Sequence, residues 1–461
     1  MTRLLLSLSL LSVLACSTKS RECPTVFFGG EIVNPTSDYV VLYRNDSYID
    51  SVKLDEGNRF AFNLQGIEEG LYHFDHSPEL QYLYLQEGDS ILIRLNTKEF
   101  DESLVFSGQG SEINNFLVEM FLAHEKEEPL IYDYYELDPE AFSQKMDSLH
   151  SDKLRHLKEV EDEYQFSEKV SSIARASVDY NNYIYKEIYP FKHKWKTGKK
   201  EIPELTDNFY KYRKTIDLNN GSLTYFRPYL DFLKSHFGNV AYVSCMKQCK
   251  VQEKPTFDYL HFNKHTLKLV DSLVHENDLR NLLFRNVAMA YLLREHSPSK
   301  ECQSFLDQFQ SLSTNEKHKV EIEQLYEGIK SLQPESDLPD VYVTNANNEQ
   351  VSLKDISKNK KTVYYFWSSS QKSHFRKIIP HVGKLKNKYP EYQFVGISVK
   401  TGKDQWSQLI QEHGLNPDNQ YYAEDFKELQ MAMVIDNLYK GVISKDTLVI
   451  DGFSNLYASL K

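Results

Sequence analysis

The spacing of apolar positions changes twice along this chain, and each change marks a different kind of element. Between residues 24 and 110 aliphatic and aromatic side chains come in short segments: Tyr39 to Tyr43, Tyr48 to Leu54, Arg59 to Leu64, Gly70 to Phe74, Gln81 to Leu85 and Ser90 to Leu95. Turn clusters separate them, among them Asn45-Asp46, Glu56-Gly57-Asn58 and Glu87-Gly88-Asp89. Short runs at this spacing predict strands in an antiparallel sandwich or barrel.

Between 111 and 335 apolar residues recur every three or four positions, which predicts helices with one buried face. The segments are Glu112 to Glu127, Pro139 to Tyr164, Glu168 to Tyr189, Ser222 to Lys250, Lys264 to Glu276, Leu279 to Glu295 and Asn315 to Leu332. Asp138-Pro139 reads as an N-cap before a first-turn proline, and Ser313 to Glu316 has capping-box spacing. No fixed repeat length with recurring signature residues is present, so an irregular helical domain is expected rather than a solenoid.

From 336 onward strand-like and helix-like segments alternate: Thr362 to Trp367, Ser373 to Lys388, Tyr392 to Val399, Lys403 to His413, Glu424 to Met433 and Thr447 to Asp451. Such alternation implies βαβ units around a central sheet. Gln333 to Ser336 is the expected linker. The whole is a multidomain α+β chain, with a β-sandwich or barrel at 24–110, a helical domain at 111–335 and an α/β domain at 336–461.

Composition narrows the function. At 461 residues the chain is too long for one core. Its net charge of -12 argues against general nucleic-acid binding, because phosphates are repelled at long range. The most basic stretch, Lys192 to Lys200, reads as a solvated loop. The five cysteines, Cys16, Cys23, Cys245, Cys249 and Cys302, contain no CxxC pair and form no disulfide framework.

At the N-terminus Arg3 precedes an apolar run from Leu4 to Leu14 that ends in Ala15-Cys16. A basic residue, a short apolar stretch and a small residue before the cut describe an export signal. The run is too short to span a bilayer, which takes about 20 apolar residues. Val13-Leu14-Ala15-Cys16 resembles a lipobox. That resemblance implies a signal peptide at 1–15, cleavage before Cys16, diacylglyceryl and fatty acyl (palmitate) attachment there, and a polar tether at 16–23. Ser17 in place of an acidic residue favours the outer membrane of the cell envelope.

Two further resemblances bear on the domains. "GEIVNPTSDYVVLYRNDSYIDSVKLDEGNRFAFNLQGIEEGLYHF" with "YLYLQEGDSILIRL" resembles the small β-domain that precedes thioredoxin domains in Bacteroidota envelope proteins. "KKTVYYFWSSSQKSHFRKIIPHVGKLKNKYPEYQFVGISV" resembles the thioredoxin-like envelope disulfide reductases, in which a strand ending in Phe-Trp leads to Cys-x-x-Cys at a helix start and then to a proline. Phe366-Trp367 and Pro380 match. Counted from Trp367, the two cysteine positions fall on Gln371 and His374. Counted back from Pro380, they fall on Lys372 and Phe375. Neither register supplies a thiol, and disulfide exchange needs one to attack and another to resolve. "SKDTLVID" places the family's cis-proline position on Lys445, and only ten residues follow Asp451, which leaves little room for a last strand and helix.

The remaining motifs each have a plain reading. His374 is expected as a solvent-facing polar replacement, with acid/base or ligand chemistry as the sharper alternative. Cys245 and Cys249 share a helix face and read as buried thiols rather than a metal or redox pair. His261 and His265 have the spacing of a zinc helix but lack the glutamate of HExxH. No metal and no cofactor is implied. Two functions stay open. One is a redox-inactive envelope lipoprotein that binds an envelope protein, peptide or glycan. The other is a thiol-disulfide oxidoreductase that uses cysteines outside the usual position.

Overall fold

The computed structural model describes residues 25–76, 79–248 and 258–458. The export signal, Cys16, Cys23, the tether and Cys249 lie outside the described residues.

The first region contains strands β1 (Thr25–Val33), β2 (Tyr39–Arg44), β3 (Ser47–Lys53), β4 (Arg59–Gln65), β5 (Gly70–His76), β6 (Glu79–Leu85) and β7 (Ser90–Asn96), a single helical turn α1 (Phe100–Ser103), and β8 (Val105–Gln109). They form two four-stranded sheets, ordered β4-β1-β7-β8 and β3-β2-β5-β6. Phe28, Phe62, Phe74, Leu42 and Ile91 are fully or almost fully buried in a core of their own. The sandwich is not purely antiparallel, because β1 runs parallel to β7, with Phe28 opposite Ile91. Sequence spacing overlooked β1 and β8, and β1 is the strand that brings in the parallel pairing. Gly30 lies where a side chain would collide with the Ile93 backbone, so β1 and β7 approach closely there.

The middle region holds α2 (Ser111–Tyr134), α3 (Pro139–Tyr164), α4 (Glu168–Thr197), α5 (Arg227–Gln248), α6 (Tyr259–Leu273), α7 (Asn277–Glu295), α8 (Lys300–Leu312) and α9 (Glu316–Ser331). The Asp138 side chain accepts from the Glu140 and Ala141 amides and starts α3, with Pro139 at its first position. Two helices run past their expected ends, with Pro129 inside α2 and Pro190 inside α4. The basic stretch from Lys192 is therefore not a loop as far as Thr197 but the last turns of α4, closed by Gly198 at φ 68°. Lysines suit that position, because a helix C-terminus carries partial negative charge. α8 had no counterpart among the expected segments. It buries Cys302, Phe305, Leu306 and Phe309.

The last region comprises β9 (Tyr342–Thr344), β10 (Gln350–Ser352), α10 (Leu353–Ser357), β11 (Lys361–Trp367), α11 (Lys372–Lys388), β12 (Tyr392–Ser398), α12 (Lys403–Glu412), β13 (Gln420–Tyr422), α13 (Phe426–Ala432), β14 (Lys440–Lys445) and β15 (Leu448–Asn455). Its seven-stranded sheet has the order β10-β9-β13-β12-β11-β14-β15. β11, β12 and β13 are parallel, β14 runs against β11, and β15 runs against β14 and so in the direction of β11. The region is thioredoxin-like in this arrangement. The short tail after Asp451 does hold a closing strand, since β15 continues through it to Asn455.

Gln333 to Ser336 is not a free linker. The Glu335 amide donates to the Val449 carbonyl at 2.8 Å and the Val449 amide to the Ser336 carbonyl at 2.8 Å. Leu332 is fully buried, and one apolar cluster runs from α7, α8 and α9 into Tyr364, Val395, Leu429 and Val449 of the sheet region. A side chain on Gly452 would strike the Leu332 carbonyl, so the two regions meet backbone to backbone.

Candidate functional site

The parallel strands β11, β12 and β13 end at one edge of the sheet, and the loops that follow them are Ser368–Ser370, Val399–Gly402 and Ala423–Asp425. Ligand sites of open α/β sheets form outside the carboxyl ends of parallel strands, because helix N-termini and free backbone amides gather there. In this chain that edge faces the β-sandwich across a cleft of about 1050 Å³. Ser369, Ser370, Lys372, Lys400, Lys403 and Glu424 lie on the sheet side. Asn34, Pro35 and the segment 97–102, with Glu99, Asp101 and Glu102, lie on the sandwich side.

Each wall is held by local bonds. The Ser369 amide donates to Thr401 Oγ1 at 3.1 Å, and Ser369 Oγ donates to Gln405 Oε1 at 2.8 Å. Lys403 Nζ reaches Asn348 Oδ1 at 2.6 Å, and Lys400 Nζ stands 5.1 Å from the centre of the Phe426 ring. Opposite, Asn34 at φ 56° turns β1 towards β2, and its side chain donates to Asn96 Oδ1 at 2.9 Å. α11 begins after Gln371 and α12 after Gly402, and neither residue caps its helix with a side-chain hydrogen bond. Two helix N-termini and the side chains of Lys372, Lys400 and Lys403 lie on this wall with Asp404 and Glu424, which leaves it a small excess of positive charge.

The residues singled out by motif divide between this wall and the core. Gln371 and Lys372 start α11, and Lys372 lines the cleft. His374 does not face solvent. It is 5 % exposed, its Nε2 lies 3.1 Å from the Phe366 carbonyl, and its Nδ1 is buried without a hydrogen-bond partner. Burial lowers its pKa, helped by the nearby Lys377 charge and opposed by the bond to Phe366. The ring therefore stays neutral near pH 7, with Nε2 as donor. Phe375 is buried against Trp367, ring centres 5.0 Å apart. Trp367 ends β11 with no exposure, and its Nε1 donates to Gln420 Oε1 at 3.1 Å.

Lys445 is displaced from the expected place. β14 pairs antiparallel with β11, so Lys445 sits opposite Lys361, at the far end of β11 from Trp367. The strand that pairs with β11 here is β14, and "SKDTLVID" covers its last two residues, the turn at Asp446-Thr447 and the first four residues of β15. The residue that reaches α11 from this side is Tyr439, whose ring lies edge-on to His374 at 5.2 Å. Tyr439 is followed by Tyr457 at 5.5 Å and His381 at 4.6 Å beyond it, a row of aromatic rings beside α11. Motif matching missed Tyr439, Lys400 and Lys403, because their relation to α11 depends on strand order. A search for polar residues just after each parallel strand would have found the two lysines.

The thiols lie elsewhere. Cys245 on α5 and Cys302 on α8 are each 1 % exposed in the helical region. Burial pushes the Cys302 thiol up to about 11, with the Glu295 charge adding to the effect. His261 and His265 lie on α6 with parallel rings 6.2 Å apart, and His265 Nε2 is 3.2 Å from Ser244 Oγ on α5. Among the described residues no three His, Cys, Asp or Glu side chains are grouped so that they could hold a metal ion. No described helix is long and apolar enough to cross a membrane.

No family model matches the chain, and a search of curated proteins found no match. Solved structures resemble about a quarter of it. The thioredoxin domain of a thiol-disulfide oxidoreductase from Bacteroides vulgatus is 21 % identical over 26 % of this chain and 88 % of its own, with a TM-score of 0.24. A thiol:disulfide interchange protein from Bacteroides sp. is 21 % identical over 26 % of this chain and 81 % of its own, with a TM-score of 0.24. A secreted disulfide oxidoreductase from Mycobacterium tuberculosis is 16 % identical over 25 % of this chain and 83 % of its own, with a TM-score of 0.22.

Proposed function

We propose that this chain is an envelope lipoprotein, anchored through Cys16, whose thioredoxin-like domain binds a partner instead of exchanging disulfides. The partner is an envelope protein that presents an acidic segment to the cleft between the sheet edge and the β-sandwich. The observation that carries this reading is the start of α11. It offers Gln371 and Lys372 where a reductase needs a thiolate, and it shares a wall with Lys400, Lys403 and the start of α12 on which the lysines outnumber Asp404 and Glu424. A carboxylate placed there meets free amides and lysine charge together, which favours anions over neutral groups. The Glu99, Asp101 and Glu102 side of the cleft opposes a ligand that is acidic throughout and so selects for one whose charge is confined to one edge.

The test is calorimetric titration of the full chain with a glutamate-rich peptide and with its glutamine counterpart. The acidic peptide is expected to bind more tightly, and Lys372→Glu combined with Lys403→Glu to weaken it by about tenfold or more. Equal affinity for both peptides, or no effect of the double variant, would sink the reading. For the anchor, Cys16→Ala is expected to leave the protein removable from membranes by a salt wash. Unchanged partition into detergent would rule out lipidation as the anchor.

A further inference from the structure

The C-terminal ends of α2 and α4 come together at one end of the helical region. Lys196 Nζ donates to the Tyr132 carbonyl at 2.8 Å and stands 4.3 Å from the centre of the Tyr132 ring. This contact places two exposed apolar side chains at the same end: Trp195 at 70 % and Tyr132 at 41 % exposure. The chain has three tryptophans, and the other two, Trp367 and Trp406, are buried. Leaving the largest side chain in water forgoes the burial that every other tryptophan here obtains, unless something covers it.

Charge separates the two classes of cover. Lys196 is occupied by Asp133 at 3.1 Å and Glu136 at 3.3 Å. Lys199 Nζ is 3.0 Å from His193 Nε2. Lys192, Lys194 and Lys200 make no ion pair among the described residues, and the next acids along the chain are Glu201 and Glu204. Five lysines thus fall within nine residues of a protein whose net charge is -12. Indole and phenol rings prefer the headgroup layer of a bilayer, where an apolar body and a polar edge are both satisfied. Lysines beside them extend their heads to anionic headgroups while their stems cover apolar surface. A protein partner would have to offer an acidic rim around an aromatic pocket, whereas an anionic lipid surface offers both features everywhere.

We propose that Trp195 and Tyr132, flanked by Lys192, Lys194, Lys199 and Lys200, form a contact surface for a bilayer containing anionic lipid. The surface acts apart from any acyl chain at Cys16 and orients the helical region against the membrane. Because Trp367 and Trp406 are buried, iodide quenching of the native protein reports on Trp195. The full chain is mixed with phosphatidylcholine vesicles, with or without phosphatidylglycerol. On the anionic vesicles the emission is expected to shift to the blue and iodide quenching to be lost, and concentrated salt is expected to restore it. Trp195→Phe removes the quenchable signal and sets the background. Reversing Lys192, Lys194, Lys199 and Lys200 to glutamate is expected to weaken association by at least about fivefold per lysine. A Trp195 as quenchable on anionic vesicles as in buffer overturns the proposal and leaves an acidic protein surface as the cover. Equal protection on neutral vesicles overturns the part played by charge.

Discussion

At position 374 the start of α11 carries a side chain that serves packing. A reductase needs a low-pKa thiolate in the first turn of a helix, where the dipole stabilises negative charge. His374 turns inward, holds the Phe366 carbonyl at 3.1 Å and meets the Tyr439 ring, so it ties α11 to the end of β11. Cys302 is no substitute, since a thiol held at about 11 is almost wholly protonated at neutral pH. We therefore expect no turnover above background when the full chain is assayed for insulin reduction with dithiothreitol, and no change with Cys302→Ser. Turnover that is lost with that substitution, or with Cys245→Ser, would return the oxidoreductase reading. The missing CxxC was visible in the sequence. The inward turn of His374 was not, because a helical residue declares its direction only when the strand beneath it is known.

At the scale of elements, the joint between α4 and α5 is made by a buried charge. Glu187 has no exposed side-chain surface and accepts from Tyr212 at 3.0 Å, Arg213 Nε at 2.8 Å, His236 Nδ1 at 2.9 Å and Asn239 at 2.8 Å. Burial alone would raise its pKa, yet the bonds from His236 and Arg213 outweigh burial and hold it at about 2. Glu187→Ala would leave Arg213 and His236 facing an empty acceptor site, and removing one member of a buried pair costs about 3–5 kcal/mol. Urea denaturation should show a correspondingly lower midpoint with an unchanged slope. A loss under about 1 kcal/mol would mean that water replaces the carboxylate without penalty. Nothing in local sequence marks Glu187 as buried. It lies in an aromatic helix segment, and its partners come from residues 212 to 239.

At the scale of the whole molecule, buried and half-buried histidines set the response to acid. Burial lowers the pKa of His73, His76, His265, His296, His318 and His374, and takes His124 down to about 4. Each folded value lies below the unfolded value of 6.5, so the unfolded chain takes up protons first. Their contribution is complete above pH 6.5 and is lost as pH falls towards the folded values. For His124 the full shift corresponds to about 3 kcal/mol. Asp89 works the other way. Burial raises its carboxyl to about 6, so it gains a proton in the folded state over the same interval and offsets part of the loss. The expected result is a urea midpoint that falls between pH 6.5 and 4, with a smaller fall in His124→Gln. A midpoint that stays level across that interval would refute this account.

The sequence by itself determined what local rules govern. Helices such as Pro139–Tyr164 and Asn277–Glu295 follow from apolar spacing and from caps that act within a few residues. The lack of thiols at the start of α11 follows from residue identity alone. Tertiary structure decided whatever depends on partners distant in sequence. β1 joins β7 some sixty residues later, which makes a parallel pair that no local pattern announces. Lys445 moves to the far end of β11 because strand register, not motif spacing, sets which residue faces α11. The cleft exists only because β11, β12 and β13 end on one edge and that edge faces the β-sandwich. Helix and turn preferences are paid within a few residues, whereas register and domain contact are chosen by burial summed over the whole chain.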